Sequence, residues 1–277
     1  MDSSQTTARA PVLLFQDVNL GYGDFTVLSN ISLAASPGEV VAIMGGSGSG
    51  KTTLLRAATG QLRPFSGKLQ LFGQNVEHFT AAQWQPLRQR IGVLFQHGAL
   101  FTDLNVFENV AFPLREHTRL SEPEINKKVL DTLEAVGLRA AAHLRLSEVS
   151  GGMARRIALA RAVIRSPELV LYDEPFAGLD PISMGITARL IRRLSDQLGC
   201  ASVLITHDVN ETFAIADRVY IVGQGQLKAS GTPAELKATT DPYVEQFLNG
   251  LPDGPVAFDY PVTPAFERWA RGRGISP

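Results

Sequence analysis

The run Gly45-Gly46-Ser47-Gly48-Ser49-Gly50-Lys51-Thr52 constrains this chain more than any other stretch. It follows an apolar segment, Val40-Val41-Ala42-Ile43-Met44, and precedes Thr53-Leu54-Leu55-Arg56-Ala57-Ala58, which has helical character. Strand, glycine-rich loop and helix in that order mark a cradle for nucleotide phosphates. The glycines let the loop curl so that several backbone N–H groups point inward. The helix N-terminus adds partial positive charge where phosphate sits. Lys51 is placed to reach the β- and γ-phosphates, and the Thr52 hydroxyl to ligate Mg²⁺. A flexible Gly/Ser linker would need neither the preceding strand nor the Lys-Thr ending.

A chain of 277 residues admits one large domain or two small ones, with a substantial core. The 26 basic and 27 acidic side chains leave a net charge of −1, so nothing global points to nucleic acid as a partner. Cys200 is the only cysteine, which excludes an internal disulfide and suits a reducing compartment. MDSSQTTARA at the start has no apolar core and does not fit a signal peptide. No stretch approaches the ~20 apolar residues of a membrane span, so the chain is expected to be soluble by itself.

Residues 12–20 and 26–33 are expected to form strands joined by a turn at Gly21-Tyr22-Gly23. A tyrosine between two glycines has an accessible ring, free to stack on a nucleobase or to do nothing in particular. Lys68 to Phe72 predicts a short strand, and 81–90 a helix interrupted at Pro86. Ile91 to Phe95 predicts a buried strand with Gln96 at its end, where open α/β sheets place ligands. A strand-end glutamine facing water explains the same local sequence.

From about 105 to 165 the periodicity is helical. Asn105 or Asp103 is a candidate cap. Ile125, Val129, Leu133 and Val136 share one face, with Gly137 as the stop. Ser150-Gly151-Gly152 opens another helix, whose arginines (Arg155, Arg156, Arg161, Arg165) fit a solvated face. Leu169 to Tyr172 predicts a strand ending in Asp173-Glu174. One carboxylate there can hold Mg²⁺, and a second can orient or deprotonate an attacking water. Ile182–Leu198 predicts a helix, and 201–206 a strand ending at His207, which could reach a γ-phosphate on the same rim. The other histidines (His78, His97, His117, His143) lack metal-ligand spacing. Residues 217–230 predict a hairpin, 232–248 two short helices, and the glycines and prolines beyond Leu251 an extended tail.

With these positions in order, the chain resembles the ATP-binding-cassette (ABC) ATPases over about residues 12–240. Gly45 to Thr52 matches the Walker A loop, with Thr53 beside it. Tyr22 fits the aromatic that stacks on adenine, and Gln96 falls at the Q-loop. Val149-Ser150-Gly151-Gly152-Met153 occupies the signature position. Leu169–Asp173 matches Walker B, with Glu174 as catalytic glutamate. Ala177-Gly178-Leu179-Asp180 is the D-loop, and His207 the switch histidine. Val149 and Met153 depart from the common LSGGQ form, while the Ser-Gly-Gly core is kept.

The resemblance implies an α/β fold, a P-loop NTPase domain of ABC type with an inserted helical subdomain. The implied boundaries are a segment 1–11, the ATPase domain 12–250 with the helical part at about 97–165, and a tail 251–277. It also implies ATP and Mg²⁺ as cofactors and a head-to-tail dimer. Glu174, His207 and Gln96 would serve catalysis. Thr52, Gln96 and Asp173 would hold the metal. Ser150, Gly151, Gly152 and Asp180 would meet the ATP of the opposite subunit.

A second resemblance covers nearly the whole chain. Ser-Gly-Gly-Met-Ala-Arg-Arg (150–156), residues 95–103, residues 173–182 and the tail segment 247–256 are similar to the ATPases of Mla systems, which move phospholipid between the two membranes of Gram-negative bacteria. That resemblance implies a permease dimer, a STAS-domain regulatory protein and a periplasmic MCE lipid-binding ring as partners, phospholipid as cargo, and a place on the cytoplasmic face of the inner membrane. An importer for another small substrate is the alternative, because the permease chooses cargo. A non-transport ABC protein acting on ribosomes or DNA would usually carry two cassettes or a long coiled-coil insert, and neither is present.

Overall fold

The computed structural model describes residues 10–96, 98–256 and 262–275. The chain divides into two compact units, Met1–Leu236 and Lys237–Pro277. In chain order the first contains β1 (Leu13–Tyr22), β2 (Phe25–Ala35), β3 (Val40–Met44), α1 (Lys51–Ala58), β4 (Ser66–Leu71), β5 (Gln74–Asn75), α2 (Ala81–Arg88) and β6 (Ile91–Leu94). Three helices follow: α3 (Val106–His117), α4 (Glu122–Ala135) and α5 (Gly151–Val163). Then come β7 (Leu169–Asp173), α6 (Pro181–Leu198), β8 (Ala201–Thr206), α7 (Val209–Phe213), β9 (Arg218–Gly223) and β10 (Gln226–Gly231), and α8 (Pro233–Lys237) ends on the first residue of the second unit.

One sheet is antiparallel, in the order β2-β1-β4-β5. The other runs β10-β9-β3-β8-β7-β6, with β9 to β6 parallel and β10 antiparallel at the edge. Every residue of β3 and β8 is buried. Continuous apolar runs such as Val40–Met44 suit strands covered on both faces. The register aligns the carboxyl ends of the central strands. Met44 pairs with Thr206, Ile205 with Asp173, and Tyr172 with Leu94. The four segments that follow these strands therefore emerge along one rim.

The helical region is capped as its sequence directs. Of the two candidates, Asn105 caps α3, its side chain accepting from Glu108 N at 2.8 Å. Asn109, fully buried, bonds Phe101 through both N and O and fixes the turn before the helix. Gly137 (φ 71°) stops α4. Its N–H donates to Glu134 O, and the Leu138 N–H to Leu133 O, a Schellman closure.

Two local expectations are corrected. The hairpin turns at Gly23-Asp24, because Gly21 and Tyr22 still pair with Thr26 and Phe25. Pro86 does not interrupt α2, which runs on to Arg88. The Thr80–Gln83 capping box and the burial of Trp84 and Leu87 hold this two-turn helix, and the proline removes only one intrahelical bond.

In the second unit, Asp241 caps α9 (Pro242–Asn249), and Gln246 exchanges two hydrogen bonds with the Val256 backbone. The segment 251–256 has no regular structure, as its glycines and prolines direct. Pro264–Arg271 then forms α10, where an extended tail was expected. Thr263 accepts from Phe266 N at 3.1 Å, and Pro264 supplies the helical φ of a first position. Eight residues between glycines and prolines leave too short a period to see in sequence.

Candidate nucleotide site

A cleft of 610 Å³ opens on the rim of the parallel sheet. Its walls include Tyr22, Gly46 to Thr53, Gln96, Asp173, Glu174 and His207. These come from positions spread across the sequence, and the aligned ends of β3, β6, β7 and β8 gather most of them.

The loop after β3 is built for close approach. Gly50 has φ 99°, and a Cβ there would meet Leu28 Cδ2 at 2.7 Å. Gly45 lies behind the lining and accepts from Lys51 Nζ at 2.7 Å, while Gly46 O accepts from the same amine at 3.0 Å. Lys51 is the first residue of α1 and is largely buried. Burial pulls its amine below the usual lysine range, against the opposing charges of Glu174 and Asp173. Burial also raises the Asp173 carboxyl, helped by Glu174 and opposed by Lys51. Ser49 Oγ is buried without a hydrogen-bond partner among the described residues. The cleft thus holds one cation against two carboxylates, an unsatisfied hydroxyl, and the N-terminus of α1.

Glu174 has φ 45°, left-handed for a side-chain-bearing residue, and its N–H donates to Ile205 O at 2.8 Å. Such strain persists where surrounding structure enforces it. His207 Nδ1 lies 3.0 Å from Glu174 Oε2, close but not aligned as a hydrogen bond. Asp208 completes a set with these two whose ligand atoms lie within 4.8 Å of one another. Glu174 and His207 of this set line the same cleft, so it forms no separate centre.

Tyr22 is half exposed at the end of β1. Its hydroxyl is 3.5 Å from Thr53 Oγ1 and accepts from Arg56 Nη1 at 3.0 Å. The ring is therefore oriented from its polar tip, and the Arg56 guanidinium lies over one face at 5.8 Å from the ring centroid.

Ser150, Gly151, Gly152 and Asp180 do not line this cleft. They form a second group. Ser150 caps α5, accepting from Met153 N at 3.2 Å. Asp180 caps α6 and accepts from Ser183 Oγ at 2.6 Å. A Cβ on Gly152 would meet that Ser183 Oγ at 2.8 Å, so the two caps adjoin. A separate cavity of 350 Å³ is lined by Gln96, Gly151, Arg155 and Gly178 among others, and Gln96 faces both spaces.

The α5 arginines do not form a solvated face. Arg155 is 8% exposed and donates to Phe95 O at 3.3 Å and Ala177 O at 3.0 Å. Arg161 donates to Gly98 O at 2.7 Å, and Arg156 to Val136 O at 3.1 Å. The reason is enclosure. Ile157, Ala158, Leu159 and Ala160 are all buried, so α5 meets neighbours around most of its girth. Sequence carried one weak sign, the spacing of Arg155, Ala158 and Arg161 on one face.

The ABC transporter family pattern matches residues 28–177. The intermembrane phospholipid transport system ATP-binding protein MlaF of Escherichia coli (strain K12) is 49% identical over 247 residues, 89% of this chain and 92% of that protein. MlaF of Haemophilus influenzae is 50% identical over 240 residues, 87% of this chain and 91% of that protein. The probable ribonucleotide transport ATP-binding protein mkl of Mycobacterium leprae is 36% identical over 235 residues, 85% of this chain and 68% of that protein. Among solved structures, cbiO1 from Clostridium perfringens, part of the ABC transporter complex cbiONQ, is similar with a TM-score of 0.78 and 29% identity, covering 86% of this chain and 94% of that one. The ATP-binding cassette MJ0796, a dimer bound to ADP and Pi after hydrolysis, is similar with a TM-score of 0.72 and 28% identity, covering 80% of this chain and 98% of that one.

Proposed function

The chain belongs to the ABC transporter family, and on that footing we propose that it is the ATP-hydrolysing subunit of a transporter that moves phospholipid between inner and outer membranes. It binds nucleotide and couples ATP hydrolysis to transport through a membrane permease. The observation that most supports the finer reading is one cleft lined by Lys51, Thr52, Gln96, Asp173, Glu174 and His207, in a chain 49% identical to MlaF.

In this reading two subunits pair head to tail. Each ATP meets Gly45 to Thr53 of one subunit, with its adenine on Tyr22, and Ser150, Gly151, Gly152 and Asp180 of the other. Lys51 releases the Gly45 and Gly46 carbonyls and turns to the phosphates. Glu174 accepts a proton from a water aligned with the γ-phosphorus. The new P–O bond forms as the bond to the β–γ bridging oxygen breaks, and ADP leaves with that electron pair. His207 and Gln96 hold the γ-phosphate and the water in register. The oxygen donors of Thr52, Gln96 and Asp173 suit Mg²⁺, which they would hold and which would relieve the excess negative charge beside Asp173 and supply positive charge for phosphoryl transfer.

The partners in this reading are the permease dimer, a STAS-domain regulator and a periplasmic MCE ring. The subunit then lies on the cytoplasmic face of the inner membrane. No helix among the described residues is long and apolar enough to cross a membrane, so attachment runs through the permease. The mycobacterial relative's name gives a different cargo, and the higher identity to MlaF favours phospholipid.

The test is a tagged purification from native membranes in mild detergent, with mass spectrometry of proteins and lipids. Co-purification of a permease, STAS and MCE proteins with bound phospholipid is the expected result. A different permease with a soluble binding protein would remove the lipid assignment. Ribosomes, or no membrane partner, would overturn transport itself.

A further inference from the structure

We propose that Arg155 is a positioning residue that couples the chain's own nucleotide cleft to the Ser150–Gly152 end of α5, making the two ATP sites of a dimer depend on one another. The inference rests on the ATPase reading above and concerns how its two sites communicate.

Arg155 is a buried cation with no carboxylate partner among the described residues. Its two hydrogen bonds go to backbone carbonyls of two separate segments. Phe95 O immediately precedes Gln96, and Ala177 O lies between Glu174 and Asp180. A buried charge needs hydrogen-bond partners, and these two carbonyls supply them, Ala177 O at 3.0 Å and Phe95 O at the longer 3.3 Å. The planar guanidinium fixes two acceptors at a set spacing, which the single ammonium of a lysine does not. One side chain thus ties together the glutamine of the cleft, the segment joining Glu174 to Asp180, and the helix that begins at Gly151.

Arg161, two turns further along α5, fastens the same loop at Gly98 O. A Cβ on Gly98 would stand 3.4 Å from Ala158 Cβ, so the loop lies directly on the helix between the two arginines. The loop and α5 therefore move as one body. Gln96, Gly151 and Gly178 all border the 350 Å³ cavity beside Arg155, so the three segments it ties together meet at one place. When Gln96 closes on nucleotide, the displacement passes through Arg155 to α5 and to its Ser150 end. By linkage, engagement of Ser150–Gly152 with the opposite ATP feeds back to Gln96 with the same coupling.

The test uses the full-length chain, with ATP dependence of hydrolysis and equilibrium binding of the fluorescent analogue mant-ATP measured for wild type, Arg155→Met and Arg155→Lys. The expected wild-type curve is sigmoidal, with a Hill coefficient approaching about 2 for two linked sites. Arg155→Met should lower kcat about tenfold or more and bring the Hill coefficient to about 1. The affinity of the first mant-ATP bound, read at low saturation, should stay within about twofold, since Arg155 lies outside the phosphate loop. Arg155→Lys keeps the charge and one bond, so it should recover part of kcat and little of the sigmoidal shape. If Arg155→Met fails to fold, the Hill coefficient of Arg155→Lys decides.

A folded variant with wild-type kcat and Hill coefficient overturns the proposal. So does joint loss of mant-ATP binding and activity, which marks a purely structural role. A wild-type chain that hydrolyses ATP hyperbolically overturns the coupling alone, and one that hydrolyses no ATP overturns the functional reading with it.

Discussion

His207 Nδ1 and Glu174 Oε2 stand 3.0 Å apart, the first on a side chain 59% exposed and the second on one only 14% exposed. The pair joins the end of β8 to the end of β7, and it faces the phosphate loop across the cleft. Glu174→Gln keeps the shape of the side chain and removes its capacity to take a proton. Turnover should fall about 100-fold or more while ATP binding persists. The variant should accumulate as an ATP-bound dimer, visible as a shift in size-exclusion elution with ATP. Substantial residual hydrolysis would show that another group is the principal base.

Lys51→Ala removes the amine that bonds the Gly45 and Gly46 carbonyls in the structure and that reaches phosphate in the proposed complex. Charged hydrogen bonds contribute about 1.5–3 kcal/mol each. The affinity for ATP should therefore drop by about tenfold or more, together with the rate. A mant-ATP titration checks this, and an unchanged Kd with reduced kcat would confine Lys51 to the chemical step.

Asp173 and Lys51 set the pH response. The Asp173 carboxyl is raised, chiefly by burial, so folding favours its protonated form. Its ionisation therefore costs stability as pH rises from the ordinary aspartate range through the raised value. Lys51 is lowered, chiefly by burial, so folding favours its neutral form, and its charge costs stability at every pH below the lowered value. Asp173→Asn keeps the shape and relieves the first cost. Its Tm at pH 7 should rise by about 2 °C while hydrolysis is lost. A lower Tm would mean that attraction to Lys51 outweighs the burial of the carboxylate. In the wild type, both limbs of the kcat/KM profile should be drawn inward, the acid limb starting above the ordinary aspartate range and the alkaline limb below the ordinary lysine range.

Removal of residues 250–277 takes away α10 and the segment whose Val256 backbone bonds Gln246. Phe266 and Trp269 stack at 5.8 Å on α10 and remain 41% and 49% exposed. We expect this tail to steady the subunit pair. The truncated chain should show weaker dimerisation or complex assembly by light scattering. An unchanged complex would remove any such role.

The loop at Gly45, the carboxylates at Asp173 and Glu174, and the histidine at 207 were legible in sequence because each follows a short apolar strand. Their meeting was legible only as a shared rim; the register that makes it level is a property of paired strands. The burial of Arg155 and Arg161 is illegible in sequence for a definite reason. Their acceptors are main-chain carbonyls of distant loops, which leave no trace in side-chain pattern. Pro86 was weighed by local propensity, whereas the burial of Trp84 and Leu87 decided the helix. The two caps that bring Gly152 against Ser183 belong to helices that are adjacent only after folding.

The pairing of Met44 with Thr206 across β3 and β8 also orders events during synthesis. The phosphate loop emerges early and can form its turn with α1 from local sequence. Asp173 and Glu174 arrive much later, and the strand that ends at Thr206, with His207, arrives after them and inserts between β3 and β7, before β9 and β10 are added on the other side of β3. A ribosome-bound fragment therefore carries the phosphate cradle with its β3 edge open. Such non-local parallel pairing is slow to form and exposes strand edges in the meantime. The central position of β8 means that a nascent chain brings His207 to the candidate cleft only when it also joins β3 to β7.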